Sequence, residues 1–319
     1  MKLDPLLHAP VLHAPVLHTP VSHARSSHGP VSRGRSLHRR ALLVLAILLA
    51  GSEVPAQTVP ATPVAAAAAK AGDPAFLRGM QAKSKHHAAE AIREFTAAAE
   101  MGHLEAQYVL GLQYLRGDGV KADPQQALSW FARAQQHNHP LAATQMGEVY
   151  ERGSGVTKDP ARAAELYESA ALQGFAPAQT RLGALYETGT GVAQNAHTAL
   201  DWYSLAAAQD HWDAQHRLGK LLRDGRGGDA EYSEAIRLFT ASSKGGNSYA
   251  RISLGEMHEA GQGVPKNLTR ARELYTLAAR EGEPAARRKL EELGKVAPIV
   301  AKRAAKPVKD SQLALDLKR

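Results

Sequence analysis

A period of 36 residues constrains the fold of this chain more than any other feature. Five blocks align without a gap from Leu104 to Glu283, because the same residue types recur at the same block positions. Repeats of about 20 to 50 residues are typical of solenoids, in which each unit buries its apolar face against its neighbours. The period therefore predicts a stack of like units. The blocks begin at Leu104, Pro140, Ala176, Trp212 and Ser248.

The first part of each block has the pattern of a helix. Small and apolar residues recur at block positions three, seven, eight and eleven, a spacing that places them on one helical face. Position eight is glycine in every block, and a missing side chain lets two helices approach closely. We expect an aromatic ring of the next unit to fill that groove. These structural glycines are Gly111, Gly147, Gly183, Gly219 and Gly255.

The second part of each block predicts a second helix. A glycine pair such as Gly189 and Gly191 suits a left-handed helix end and a tight loop. Three positions after the loop valine stands a residue that caps helix N-termini well. A stripe such as Ala199, Tyr203 and Ala206 then has helical spacing. The predicted fold class is therefore all-α. The capping residues are Asp123, Asp159, Asn195 and Asn267.

The fourth block departs most from this pattern. It has Gly228 where valine is expected, Glu231 in place of the capping residue, and Ser242 and Ser243 in place of two alanines. Because these changes remove a cap and small apolar contacts, we predict a less ordered loop over residues 224–233.

The blocks resemble Sel1-like repeats. The third, APAQTRLGALYETGTGVAQNAHTALDWYSLAAAQDH, follows the family pattern A-x-x-x-L-G-x-x-Y-x-x-G-x-G-V and its W-Y-x-x-A-A continuation. Tetratricopeptide repeats are relatives, but they have a 34-residue period and lack the G-x-G-V loop. The resemblance implies a right-handed α/α superhelix over residues 73–294. Its parts are a partial repeat 73–103, full repeats 104–139, 140–175, 176–211, 212–247 and 248–283, and a C-terminal cap 284–294.

The residues before the repeats have the order of an export signal. Arg39 and Arg40 precede the apolar run 41–50, and Val54 and Ala56 are small residues suited to a cleavage site. Ten apolar residues span about 15 Å as a helix, which is half the hydrocarbon core of a bilayer. We expect cleavage near Ala56 and a periplasmic or secreted product. The predicted segments are a disordered low-complexity extension 1–32, a signal peptide 33–56 and a linker 57–72.

The net charge of +8 belongs to the two ends of the chain. Residues 1–56 carry six basic and two acidic side chains, and residues 295–319, predicted to be a basic disordered tail, carry seven and two. The remaining 26 basic and 27 acidic side chains lie between them. The repeats are therefore nearly neutral, which argues against a nucleic-acid partner. The absence of cysteine excludes disulfides and thiolate chemistry.

The predicted binding surface is the groove lined by the first helices. Block positions two, five, nine and twelve lie beside the buried stripe and vary between blocks, as contact residues do. This groove is apolar at its first block, acidic in the middle, basic at the block that begins at Trp212 and acidic again at the last block. The predicted partner-binding residues are Tyr108, Leu112, Glu148, Glu151, Glu187, His216, Lys220 and Arg223.

No motif predicts catalysis. Neither a phosphate-binding loop, a nucleophile elbow nor an H-E-x-x-H helix occurs in the sequence. His137 and His139 form an H-x-H pair, but no spacing supplies the further ligands that zinc needs. We therefore expect no catalytic residue, no metal and no cofactor.

The sequence predicts an exported protein-protein interaction scaffold, adaptor or regulator in the cell envelope. The resemblance implies other proteins as partners, such as envelope or secretion components or a sensor protein. We expect a monomer that meets the membrane only through its signal segment before cleavage. The alternative is a hydrolase or a cell-wall-ligand binding protein that uses the same groove.

Overall fold

A computed structural model describes residues 63–295 and the side chains of residues 73–294, and within that range the chain forms thirteen α-helices and no strand. The predicted all-α class is confirmed. The predicted extension and signal peptide lie outside the described residues, as does the predicted tail beyond Lys295. The helices are α1 Pro63–Ser84, α2 Ala88–Glu100, α3 Leu104–Arg116, α4 Pro124–Gln135, α5 Pro140–Arg152, α6 Pro160–Ala171, α7 Ala176–Thr188, α8 Ala196–Ala207, α9 Trp212–Arg223, α10 Tyr232–Lys244, α11 Ser248–Ala260, α12 Leu268–Arg280 and α13 Pro284–Lys295.

Each 36-residue block is a hairpin of two helices, and we number the hairpins repeat 1 (104–139) to repeat 5 (248–283). The first helix ends at a left-handed glycine in four repeats, as at Gly189 with φ 72°. The second helix begins at the predicted caps: the Asn195 side chain accepts hydrogen bonds from the backbone N–H groups of His197 and Thr198. Both predictions rest on local backbone chemistry and both are confirmed. The other left-handed glycines are Gly117, Gly153 and Gly261.

The position-eight glycine holds the two helices of a hairpin together. A Cβ atom placed on Gly183 would lie 2.7 Å from Cε1 of Tyr203, a side chain with no exposed surface. We expected an aromatic ring of the next unit at this position, and that prediction is wrong. The ring comes from the second helix of the same repeat, because the short loop folds that helix back across the first. The same pairing joins Gly111 to Phe131, Gly147 to Tyr167, Gly219 to Phe239 and Gly255 to Tyr275.

Consecutive repeats are joined by a buried amide at block position four. The Gln179 side chain donates a hydrogen bond to the carbonyl of Ala171, which lies at the C-terminal end of the preceding repeat's second helix. Carbonyls in the last turn of a helix have no partner within that helix, so this amide satisfies one of them. Gln107 and Gln215 make the equivalent bonds to Ala99 and Ala207.

The partial first unit begins earlier than the sequence suggested. We expected a linker over 57–72 and a partial repeat from residue 73, but α1 begins at Pro63 and Pro74 lies inside it. Residues 65–69 are all alanine, the residue with the highest helix propensity. A proline inside a helix removes one donor, and here the helix continues through it.

Helix α13 closes the other end of the solenoid. Ala286 and Leu293 are buried in a cluster with Tyr275 and Ala278 of α12, whereas Arg287 and Arg288 are exposed. A terminal helix with a charged outer face suits a solenoid end, where no further unit covers it. Within the described range, every helix is too short or too polar to cross a bilayer.

Candidate functional site: the face of the first helices

The first helices of the repeats form the inner side of the stack. Helices α5 and α7 approach each other across a repeat boundary, as do α9 and α11, whereas the second helices pack mainly on their own partner and on the following first helix. The closer approach of the first helices places them on the concave side of the solenoid. We call the solvent-facing side of these helices the concave face.

Charged and polar pairs cross the concave face between neighbouring repeats. Arg181 Nη2 lies 3.1 Å from Glu148 Oε1, and Arg223 Nη1 lies 3.0 Å from Glu256 Oε2. His216 Nε2 lies 3.1 Å from Ser253 Oγ. Arg226 of repeat 4 also pairs with Glu187 of repeat 3 at 3.0 Å. Four predicted binding residues therefore already have partners in the neighbouring repeat: Glu148, Glu187, His216 and Arg223.

Block position twelve carries a glutamate that accepts a hydrogen bond from a buried tyrosine. The Tyr203 hydroxyl donates to Glu187 at 2.8 Å, and the Tyr167 hydroxyl donates to Glu151 at 2.6 Å. Burial raises the pKa of both tyrosines far above its usual value, and the neighbouring glutamate contributes to the rise. The hydroxyls thus remain donors. Glu151 and Glu187, predicted as binding residues, also tie the two helices of a hairpin together, as does the Tyr275–Glu259 pair in repeat 5.

Repeats 1 and 4 lack this Tyr–Glu pair, and both of its residues are replaced in each of them. Block position twelve is Leu115 in repeat 1 and Arg223 in repeat 4, and both repeats have phenylalanine in place of the tyrosine. Neither repeat therefore has a buried tyrosine hydroxyl without an acceptor. The Arg223 guanidinium lies 6.0 Å from the centre of the Phe239 ring. The sequence contains this covariation over a 16-residue spacing, and our sequence analysis missed it.

The concave side of repeat 4 carries a distinct group of side chains. Trp212 and Tyr249 are 47% and 55% exposed, and Tyr249 lies against His216 with ring centroids 6.4 Å apart. Lys220 is exposed. Burial and the cations Lys220, Arg217 and Arg223 lower the pKa of His216 to about 4, against the opposing effect of Asp213. The ring is therefore neutral at pH 7.

The opposite end of the groove is apolar, as predicted. Tyr108, Leu112 and Leu115 are partly buried on the core of repeats 1 and 2. The Tyr108 ring stacks on His139 at 5.3 Å, and burial raises the pKa of its hydroxyl. A shallow depression of about 180 Å³ adjoins this group. It is lined by Leu115, Gln145, Glu148, Val149, Arg152 and Ser154.

Block position five does not face solvent in three repeats, contrary to our expectation. Thr144, Thr180 and Ile252 are 3 to 7% exposed, because the next unit of the stack covers them; for Ile252 that unit is the closing helix α13. The Thr180 hydroxyl bonds the Ala176 carbonyl and lies 3.0 Å from Nδ1 of His211 in the next turn. The curvature of the stack decides this burial, so the helical spacing within one repeat could not predict it.

Histidines between the repeats cap the first helices, a role that the sequence analysis did not assign. Nδ1 of His139 accepts a hydrogen bond from the backbone N–H of Ala142, and its Nε2 lies 3.2 Å from Glu105. His103 and His211 cap in the same way. One member of the H-x-H pair thus has a structural role. In residues 73–294, no three potential metal-ligating side chains converge.

A second depression, of about 340 Å³, also lies between repeats 1 and 2. It is lined mainly by the loop before α6. Among the described residues, the buried Tyr–Glu pairs are spaced along the stack, and none of their residues lines this depression. The lining residues are Gln125, Leu128, Tyr150, Val156, Thr157, Lys158, Asp159 and Arg162.

Helix hairpins stacked with a 36-residue period, with one face lined by first helices, define an α/α repeat solenoid. The family model described as Sel1 repeat matches residues 104–139, 140–175, 176–211, 212–247 and 248–283. The chain belongs to the Sel1 repeat family. A search of the curated proteins found no match.

Two solved structures are similar to this chain. One is a protective antigen present in uropathogenic Escherichia coli strains, described as displaying an SLR fold, with 28% identity and a TM-score of 0.64. The match covers 81% of this chain and 57% of that protein, so this chain spans little more than half the length of the antigen. The other is a Sel1 repeat protein from Oxalobacter formigenes, with 28% identity, a TM-score of 0.63, and coverage of 68% of this chain and 89% of that one.

Proposed function

We propose that this protein is an exported scaffold or adaptor that binds other proteins of the cell envelope through its concave face. The observation that carries the proposal is the difference between conserved and varied positions among the repeats. Gly183 and its counterparts repeat because they hold the hairpins together. Block position nine changes charge or polarity from each repeat to the next, which suits recognition of an extended partner. Its residues are Leu112, Glu148, Ala184, Lys220 and Glu256.

Export is the second part of the proposal and rests on the sequence before the repeats. The basic residues up to Arg40, the apolar run 41–50 and the small residues up to Ala56 have the order of a signal peptide. Expression of the full chain, followed by fractionation and mass spectrometry, tests this part. We expect the protein in the envelope fraction or in the medium, with Gln57 as its first residue. A cytoplasmic product with an intact N-terminus would contradict export.

Site-specific photocrosslinking in cells tests the concave face. A photoreactive amino acid at Leu112 or Lys220 should give crosslinks to other proteins. The matched controls are Glu165 and Arg237, which are exposed on second helices. Crosslinks that form equally well from both sets of positions would contradict a concave binding surface.

A double substitution gives a second test of the same face. Replacing both Tyr108 and Arg223 by alanine should weaken capture of the crosslinked partner about tenfold, because Tyr and Arg concentrate binding energy at interfaces. The thermal midpoint of the variant must be measured too, since both side chains also make internal contacts. Undiminished capture would contradict the proposal.

A further inference from the structure

The strongest candidate for a specific binding site is what we call the repeat-4 patch, formed by Trp212, His216, Lys220, Arg223 and Tyr249. The first four residues follow helical spacing along α9, so they share one face of that helix. Tyr249 reaches this face from α11, where it lies against His216. The patch therefore spans two neighbouring repeats.

Lys220 has a charge that no described residue balances by an ion pair or hydrogen bond. The nearby arginines differ: Arg217 pairs with Asp213 at 3.0 Å, and Arg223 pairs with both Asp224 and Glu256. Block position nine is Leu, Glu, Ala or Glu in the other four repeats. One solvent-exposed cation, held on a rigid helix, is thus left for a ligand.

Two aromatic side chains of the repeat-4 patch are about half exposed. Trp212 and Tyr249 are among the few large hydrophobic side chains that are at least 40% exposed in residues 73–294. Trp212 begins α9 one turn before His216, and its backbone carbonyl accepts a hydrogen bond from the Ser242 hydroxyl at 2.6 Å. The tryptophan backbone is thereby fixed while much of its ring faces solvent. Aromatic rings held in this way are favourable contact surfaces for side chains of a partner.

The electrostatic environment agrees with this assignment. Lys220, Arg217 and Arg223 each lower the pKa of His216, and only Asp213 opposes them. Arg217 and Arg223 are paired with carboxylates, so among the described residues the unpaired cation of the patch is Lys220. The glutamate found at block position twelve in repeats 2, 3 and 5 is absent here, because Arg223 and Phe239 replace the Glu–Tyr pair.

We propose that the repeat-4 patch binds an extended peptide segment in which an aspartate or glutamate is adjacent to an aromatic or aliphatic residue. The carboxylate pairs with Lys220, and the apolar side chain packs on Trp212 and Tyr249. Charge complementarity selects one carboxylate, because the arginine charges are already paired. This inference rests on the proposed function, since it names the kind of segment that the concave face recognises.

The proposal is tested by selecting peptides that bind the purified full-length protein from a phage-displayed library of random 12-residue peptides. The affinity of the selected peptides is then measured by fluorescence anisotropy. We expect selected sequences to contain Asp or Glu next to an aromatic or aliphatic residue. Lys220→Glu should weaken their binding at least tenfold, as should Trp212→Ala. Lys220→Arg should retain binding within about threefold, and raising the salt concentration should weaken it.

The matched control is Lys121→Glu, which makes the same charge change at an exposed loop of repeat 1. It should leave peptide affinity unchanged. The assignment would be overturned if the selected peptides showed no preference for Asp or Glu, or if the selection yielded no binders. It would also be overturned if the Lys220→Glu variant bound the selected peptides as tightly as the wild type. Poly-glutamate that binds as tightly as the selected peptides would overturn it too, because it lacks the apolar side chain. The photocrosslinking result is independent, so the concave face can be supported while this assignment fails.

Discussion

Repeats 3 and 4 are adjacent and share the same helix hairpin, but they stabilise it differently. Repeat 3 ends its first helix at left-handed Gly189 and caps its second helix with Asn195. Repeat 4 ends its first helix at Asp224 in a right-handed conformation, and Glu231 makes no capping hydrogen bond through its side chain. The glycine crossing is common to both repeats. The comparison shows that the crossing defines the fold, whereas caps and loops can vary where other side chains are needed.

The largest expected effect comes from breaking what the two repeats share. Gly183→Leu should lower the free energy of unfolding by about 3 kcal/mol, because even a Cβ atom there would lie 2.7 Å from the buried Tyr203 ring. Chemical denaturation measures this. The control is Gly294→Leu, at a helical position with open space around it. An unchanged stability of Gly183→Leu would show that the crossing is not tightly packed.

The next largest effect is expected when the Tyr–Glu pair of repeat 3 is broken by the phenylalanine that repeat 4 has at the same position. Tyr203→Phe should lower the free energy of unfolding by about 1.5 kcal/mol, since Glu187 loses a charge-assisted hydrogen bond. The matched control is Tyr186→Phe, which removes the hydroxyl of a partly buried tyrosine in the same repeat. Equal stability of the wild-type protein and Tyr203→Phe would show that the Tyr–Glu pairs do not stabilise the hairpins.

The buried histidine of repeat 4, His216, should make the stability of the protein depend on pH. The folded protein keeps His216 neutral down to a pKa of about 4, whereas the unfolded chain takes up this proton below about 6.5. Stability from this group is complete above pH 6.5 and falls as the pH approaches 4. His216→Gln should reduce that loss by about 1 kcal/mol, allowing for solvent screening at a partly exposed ring.

Denaturation curves at pH 7 and pH 4.5 measure the difference. Asp213 acts against the shift, whereas Arg217, Lys220 and Arg223 act with it, and Tyr249 and Ser253 face the ring from α11. The control is His197→Gln, at an exposed position in repeat 3. The same pH dependence in wild type and His216→Gln would contradict burial of a neutral ring.

The smallest effects concern the caps. Asn195→Ala should cost about 1 kcal/mol, whereas Glu231→Asp should add about 0.5 kcal/mol, because aspartate is one of the best N-cap residues. Thermal unfolding of both variants measures the two changes. A loss of stability in Glu231→Asp would show that the backbone at this position prevents capping.

Features that depend on residues close together in the chain were predictable from the sequence, whereas features that depend on distant residues were not. Gly189 and Asn195 were predictable because helix ends depend on neighbouring backbone groups. The partner of Gly183 was assigned to the wrong unit, because spacing does not show how the hairpin folds back. The burial of Thr180 depends on the curvature of the whole stack. The Glu187–Tyr203 pair could have been found, since both residues change together between blocks.

Amide hydrogen exchange of the free protein tests the central claim most directly: repeat 4 lacks the left-handed C-cap glycine and the side-chain N-cap of repeat 3, while both repeats keep the glycine crossing. The segments to compare are residues 188–199 and 224–235, which contain the loop and the first turn of α8 and of α10. We predict exchange at least tenfold faster in 224–235, with equal protection at the centres of the four helices. Equal or slower exchange in 224–235 would contradict the account.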